Sequence, residues 1–290
     1  MNQTNKITVK TLMCEYENIA AQTVSNKDEL KKKVRSIMEP VNGLHQLSAR
    51  NFMLAQAQVY QKSKEIEDVF GSYKALQSIG RQVKKGEKGN KILVPCFYKI
   101  KDDNGNETGE KRMYFRLGNT FGLSQTEGEQ IDKIGLLKNK GLITYKDIED
   151  RVTIPIKYTD SVLTHGSTDG KSINISQRND DDQKLSTLLH ELAHVRLGHF
   201  EPKIRDSLDR SVRECEAEAV AYMLTVAIGF ENKKAEAYMA NWNANEHDMK
   251  QSSIRVINTA FKITKELDLN GLLVQKNIEN GYLAEAPAVI

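Results

Sequence analysis

Only three cysteines occur in 290 residues, Cys14, Cys96 and Cys215, and they lie far apart. An odd, scattered set makes neither a disulfide framework nor a CxxC metal pair, and it reads as free thiols in a reducing compartment. Histidine and carboxylate remain as the metal ligands to look for. There is no run of eighteen apolar residues, which excludes a membrane-spanning helix. The opening segment, MNQTNKITVKTLMCEYENIAAQ, lacks the apolar core of a secretory signal, so cytoplasmic residence is expected. Internal repeats and low-complexity tracts are absent too. What is present is a globular composition, 39% hydrophobic and 28% charged, in a chain long enough for one large domain or two ordinary ones.

Charge argues for two. The net charge is +3, but residues 1–125 hold 21 Lys and Arg against 13 Asp and Glu, while the remainder is acidic. Such asymmetry fits a first domain with an anionic partner, although lysine-rich solvated faces are also common.

The pattern of elements changes along the chain. Residues 1–40 read as helical, closed by Pro40. Ser48 is placed to cap a helix through Gln61, and a short helix is expected from Ser72 to Gly80. KILVPCFYKI, DDNGNETG and EKRMYFRLG read as strand, turn and returning strand, a β-hairpin. Residues 126–160 read as a linker with a short helix at 131–138 and a possible strand at Thr153–Tyr158, and DGKSINIS suits a strand. From Asp180 the pattern is helical to Gly198, with acidic residues favouring the helix dipole in its first turn. Helices are also expected from Ser207 to Ile228 and from Ser252 to Leu267, the latter using Ile254, Ile257, Phe261 and Ile263.

The most informative motif is His190-Glu191-Leu192-Ala193-His194. Residues four apart share a helix face, so both imidazoles can bind one ion, and Glu191 beside them is placed as the base that takes a proton from water. Zinc suits nitrogen and carboxylate ligands, with a fourth position left open. The plain alternative, two histidines exposed on an ordinary helix, fits poorly with Leu185, Leu188 and Leu192 on a packing face. A third protein ligand is required, and Arg213-Glu214-Cys215-Glu216-Ala217-Glu218 follows on the next helix. Glu214 and Glu218 lie four apart on one face, whereas Glu216 points elsewhere. Glu214 is assigned as the ligand, and Glu218 as the support that sets a ligand histidine's tautomer. An acidic solvated face is the competing reading, but Ala217, Ala219, Val220, Ala221 and Met223 read as packed. Tyr222, Tyr238 and His247 are candidates for stabilising a transition-state oxyanion.

In the first half, residues 80–91 carry Arg81, Lys84, Lys85, Lys88 and Lys91 against one acid. Glycines allow close approach to a phosphate, and the cations would neutralise it. The hairpin adds Tyr98, Tyr114, Phe115 and Phe121, interleaved with Lys99, Lys101, Lys111, Arg112 and Arg116. Aromatics beside cations suit single-stranded nucleic acid, because every base has a face to stack on. A soluble hairpin with half its aromatics in a core is the equal alternative.

Two resemblances bear on these readings. HELAHVRLGH followed by ECEAEAVAY resembles the pattern of gluzincin-like peptidases, including the ImmA/IrrE group, which implies Glu214 as third zinc ligand and Glu218 as its support. His199 matches a histidine often found after the LG pair, and reads as a structural residue at the helix end. SARNFMLAQAQ, ALQSIGRQVKKGEKGNKILVPCFYK and YFRLGNTFGLSQTEG resemble the N-terminal domain of ArdC-type antirestriction proteins. That resemblance implies a single-stranded-DNA-binding domain joined to a zincin-like metallopeptidase, on a mobile element that protects incoming DNA from restriction. The family often carries a tryptophan where Tyr73 stands here, and the single tryptophan, Trp242, lies in the second half.

The expected architecture is therefore α+β in two domains. Residues 1–125 form a helix-plus-hairpin domain binding single-stranded DNA through Arg81, Lys84, Lys85, Lys88, Lys91, Arg112 and Arg116. Residues 126–290 form a zincin-like domain with Zn2+ on His190, His194 and Glu214, Glu191 as base, Glu218 as support and a protein or peptide as substrate. Two alternatives stand beside it: an ImmA/IrrE-like regulatory peptidase that cleaves a DNA-binding repressor, and a non-catalytic module in which zinc is a staple. No membrane partner is expected.

Overall fold

The computed structural model describes residues 7–26, 30, 33–34, 47–64, 67, 69–102, 105–130, 141–230 and 246–282, without the side chains of 246–249. The architecture is α+β, in two compact units: residues 1–19 with 41–132, and residues 20–40 with 133–290. Among the described residues no helix is long and apolar enough to cross a membrane.

Helix α1 (Val9–Ser25) opens the chain. In the first unit, α2 (Ala49–Ser63) starts where Ser48 Oγ accepts the Asn51 N–H, and buries Phe52, Met53, Leu54 and Val59. Strand β1 (Phe70–Gly71) precedes α3 (Tyr73–Ser78), which Ser72 caps and which ends before Gly80 at φ +74°, a left-handed conformation suited to glycine. Strand β2 (Arg81–Val83) leads through the basic loop to the hairpin of β3 (Asn90–Lys101) and β4 (Glu107–Gly122). The sheet order is β1-β4-β3, and β5 (Thr126–Gly128) pairs antiparallel with β2.

The base of the hairpin is fastened by two amides. Asn51 and Gln58, seven residues apart and so on one face of α2, reach the edge of β3. Asn51 donates to the Leu93 carbonyl at 2.9 Å and accepts its N–H at 3.0 Å. Gln58 does the same for Lys91, at 2.8 Å each way. They satisfy backbone groups that a neighbouring strand would otherwise pair. Ile92 and Leu93 are buried there, but from Phe97 to Met113 the paired strands lie largely exposed.

In the second unit, α4 (Tyr145–Glu149) falls within the stretch read as a linker. Thr144 and Asp147 cap it reciprocally, and five residues are too few for periodicity to reveal. The helix expected at 131–138 lies outside the described residues. Strands β6 (Ile156–Thr159), β7 (Gly166–Thr168) and β8 (Ile173–Ser176) form a sheet of order β6-β8-β7, with β8 parallel to β6 and antiparallel to β7. Ile173 and Ile175 are wholly buried in it. Helix α5 (Asp181–Arg196) packs on this sheet, begun by Asp180 accepting the Gln183 N–H at 2.7 Å and followed by Gly198 at φ +72°. After the short α6 (Pro202–Arg205) come α7 (Arg210–Ala227), buried almost throughout from Glu216, then α8 (Glu246–Glu266) and α9 (Leu269–Glu279). Helix α8 begins earlier than periodicity suggested. Its buried face is Val256, Ile257, Ala260 and Ile263, with Ile254 and Phe261 at the border. An Arg196–Glu266 ion pair joins α5 to α8.

Candidate functional site

Helical spacing on α5 brings His190 and His194 to one face, with their Nε2 atoms 3.1 Å apart. Glu214, from α7, places Oε2 3.6 Å from His190 Nε2 and 3.4 Å from His194 Nε2. A tetrahedral ion with ligands at 2.0–2.1 Å requires neighbouring donors roughly 3.3 Å apart. The three donors therefore fit a single divalent metal ion with one position left over.

The electrostatics agree with that donor set. Burial works against a charged His190, but hydrogen bonds to Glu214 and Glu218 outweigh it and push the imidazole up to about 10. The two imidazoles hold the Glu214 carboxyl far below the ordinary carboxylate range. Burial raises Glu191, opposed by His190 and His194, so this carboxyl is tuned toward holding a proton. Burial and the surrounding glutamates raise the Cys215 thiol, which keeps it protonated.

Each ring is held from behind. His190 Nδ1 lies 2.7 Å from Glu218 Oε2, the contact that helical spacing led one to expect. His194 Nδ1 meets His199 Nδ1 at 2.8 Å, and His199 Nε2 meets Glu216 Oε2 at 3.1 Å. Arg255 from α8 also binds Glu216. Sequence reading left His199 as a structural residue and turned Glu216 away. Glu216 does leave the metal face, but toward His199, and it is wholly buried. A glutamate amid buried alanines signals a buried partner, because an ionised carboxylate is not left unpaired in a core.

Beside the donors opens a cleft of about 420 Å³, lined in part by Gly166, Ser167 and Thr168 of β7, by Glu191, and by Arg210 and Arg213. Gly166 permits the close approach of β7 to α5, since a Cβ there would lie 2.3 Å from Thr187 Cγ2. Tyr222 is buried and does not line this cleft. Tyr238 and the side chain of His247 lie outside the described residues, as does Trp242. Arg213 donates to the His199 carbonyl at 3.3 Å, which fixes a guanidinium at the cleft wall.

In the first unit the basic residues separate into two groups. Arg81 spends its guanidinium on Thr126 and on the Gly128 and Glu129 carbonyls, locking β2 to β5. Lys84 donates to the Ser124 carbonyl at 3.0 Å, and Lys91 to Asn119 at 2.8 Å. Lys85, Lys88, Arg112 and Arg116 are exposed. The loop carrying Lys84, Lys85 and Lys88 is tied down by Gln125, which donates to Glu87 at 2.7 Å and to the Lys88 carbonyl at 3.1 Å. On the hairpin, Tyr98 faces Arg112 and Tyr114 faces Cys96, with the two tyrosine rings 6.0 Å apart. Phe97, absent from the sequence reading, is 65% exposed opposite Met113. Phe115 is instead half-buried beneath Arg50, and Phe121 is half-buried too. Tyr73 is exposed, its hydroxyl accepting from Gln82 at 2.6 Å.

Two family models match. Residues 5–121 match the N-terminal domain of the anti-restriction factor ArdC, and residues 150–239 match the IrrE N-terminal-like domain of the M78 peptidases. The chain thus carries an ArdC-type N-terminal domain followed by an IrrE-like domain. A Bacillus anthracis protein described as uncharacterized is 23% identical over 85% of this chain and 53% of its own length. The Escherichia coli DNA primase TraC is 26% identical over 59% of this chain and 14% of its own length. The chain thus spans about half the length of the first and a small part of the second. Among solved structures, the antirestriction ArdC protein of the R388 plasmid, metal-free, is 17% identical with a TM-score of 0.49, over 91% of this chain and 98% of that one. The Mn(II)-bound form of that protein is 16% identical with a TM-score of 0.45, over 87% and 97%.

Proposed function

We propose that this ArdC-type chain is an antirestriction protein of a mobile element, acting in the cytoplasm. It binds single-stranded DNA through residues 1–125 and carries a zinc metallopeptidase site in residues 126–290. The observation that carries the metal reading is the triangle of His190 Nε2, His194 Nε2 and Glu214 Oε2, with sides of 3.1, 3.4 and 3.6 Å. The match to the ArdC N-terminal domain, with exposed Phe97, Tyr98 and Tyr114 interleaved with cations, supports the DNA reading.

His190, His194 and Glu214 would hold zinc, and Glu218 orients His190. When bound, zinc supplies Lewis acidity that polarises a carbonyl and makes water a nucleophile near neutral pH. Glu191, its proton affinity raised by burial, accepts the proton from the attacking water and returns it to the leaving amine. Arg213, anchored at the cleft wall, offers a fixed cation to the charge that develops on the carbonyl oxygen. Lys84, Lys85, Lys88, Lys91, Arg112 and Arg116 neutralise DNA phosphates; Arg81 contributes by holding the sheet that carries the loop.

Two measurements on the purified protein test this reading: metal analysis, and single-strand gel-shift titration at low salt. Stoichiometric zinc and salt-sensitive binding support it; no single-strand binding at low salt removes the antirestriction reading. A second reading, a regulatory peptidase that cleaves a DNA-binding repressor, is favoured by the IrrE-like match. Specific cleavage of a repressor encoded nearby, lost in Glu191→Gln, selects it.

A further inference from the structure

The two histidines of the metal face are held in different ways. For Nε2 to offer a lone pair to a metal, the proton of a neutral imidazole must sit on Nδ1. In His190 that proton is donated directly to Glu218. In His194 the Nδ1–H points at another imidazole nitrogen, His199 Nδ1, 2.8 Å away. His199 must accept there, so its own proton sits on Nε2, 3.1 Å from Glu216. Only an acceptor serves at that position. Glu216 is one, and its Oε2 also receives the Arg255 guanidinium.

We propose that His199, Glu216 and Arg255 form a buried relay that sets the tautomer and orientation of His194, making helix α8 part of the metal site. These are positioning residues, which act through His194. Each link has one acceptor and one donor, so the proton order is determined from Arg255 to the ligand nitrogen. The arrangement extends the carboxylate–histidine–metal triad by one imidazole. It also accounts for all three glutamates of the ECEAE run. Glu214 meets the metal face, Glu218 holds His190, and Glu216 holds His194 through His199. A purely structural reading would make Glu216–Arg255 an ion pair joining α7 to α8 and nothing more.

The proposal rests on the metal reading above, and the experiment separates the two. Zinc affinity is measured on the full chain by competition with a chromophoric chelator, and geometry by the visible spectrum of the cobalt(II)-substituted protein. His199→Leu removes the acceptor, whereas the amide oxygen of His199→Gln can still accept from His194. The relay predicts a loss of roughly 10–100-fold in zinc affinity and an altered cobalt spectrum for the leucine variant, with the glutamine variant within a few-fold of wild type. Glu216→Leu, which removes the acceptor, weakens binding alone, but adds nothing on the His199→Leu background, because a broken chain has no further link to lose. Melting curves in chelator report the fold independently. Wild-type affinity in both His199 variants overturns the relay, as do equal losses that follow the loss of melting temperature, or additive losses with Glu216→Leu. A wild-type protein that takes up neither ion removes the metal reading, and the relay with it.

Discussion

His190 Nε2 and His194 Nε2 face each other across 3.1 Å, on the side where Glu214 arrives from a second helix. Two imidazole lone pairs at that distance repel unless a cation lies between or beside them. In the metal-free protein a proton on His190 is favoured instead, because hydrogen bonds to Glu214 and Glu218 outweigh its burial.

Removing a ligand and removing the base should therefore separate cleanly. His190→Ala or Glu214→Ala is expected to abolish stoichiometric zinc. Glu191→Gln is expected to keep zinc and lose roughly a hundred- to ten-thousand-fold in peptide hydrolysis. Metal analysis beside a peptidase assay checks this. Intact antirestriction activity in Glu191→Gln, together with collapse of the protein in His190→Ala, would point to zinc as a staple.

Metal uptake should depend on pH with a definite sign. His190 in the folded protein is raised from 6.5 to about 10, so its proton competes with the metal throughout that interval. Affinity is expected to rise with pH beyond 6.5 toward about 10. The same shift stabilises the chelator-treated protein fully below pH 6.5, a contribution lost as pH rises through about 10. Calorimetric titration in buffers of different ionisation enthalpy, with melts across this range, measures both.

On the hairpin, stacking and charge should be separable. Phe97→Ala and Tyr114→Ala are each expected to cost about 1–3 kcal/mol of single-strand binding with little change in salt dependence. Arg112→Gln and Arg116→Gln should each lower the slope of log affinity against log salt by about one. Arg81→Gln should lower the melting temperature, because its guanidinium holds β5. Gel shifts over a salt series, with melts, distinguish the three classes.

The fastening of the hairpin predicts a stability effect at a residue assigned to neither site. Asn51→Leu leaves the N–H and carbonyl of buried Leu93 without their amide partner. The expected destabilisation is about 1–3 kcal/mol, measurable by denaturant titration of the isolated variant against wild type.

Much of this was legible before any coordinates. The Ser48 cap, the helix starts at Ser72 and Asp180, the glycines at positions 80 and 198, and the hairpin all announce themselves through local chemistry. So does the pairing of His190 with His194, because residues four apart on one helix must share a face. Helix α4 was not legible, being too short to show a period. Phe97 was not either, since alternation tells which strand residues share a face but not whether that face is covered.

Spacing alone pairs His190 with His194 and Glu214 with Glu218, each pair on one helix face, but the packing of α7 against α5 decides that the two faces meet. The partner of Glu216 was decided only by tertiary structure. Its direction from α7 follows from spacing, but what waits there, the turn bearing His199 and a helix supplying Arg255, depends on the packing of elements distant in sequence. The same holds for Asn51 and Gln58, which lie on one helix face by spacing yet acquire their role only where the edge of β3 is laid against them.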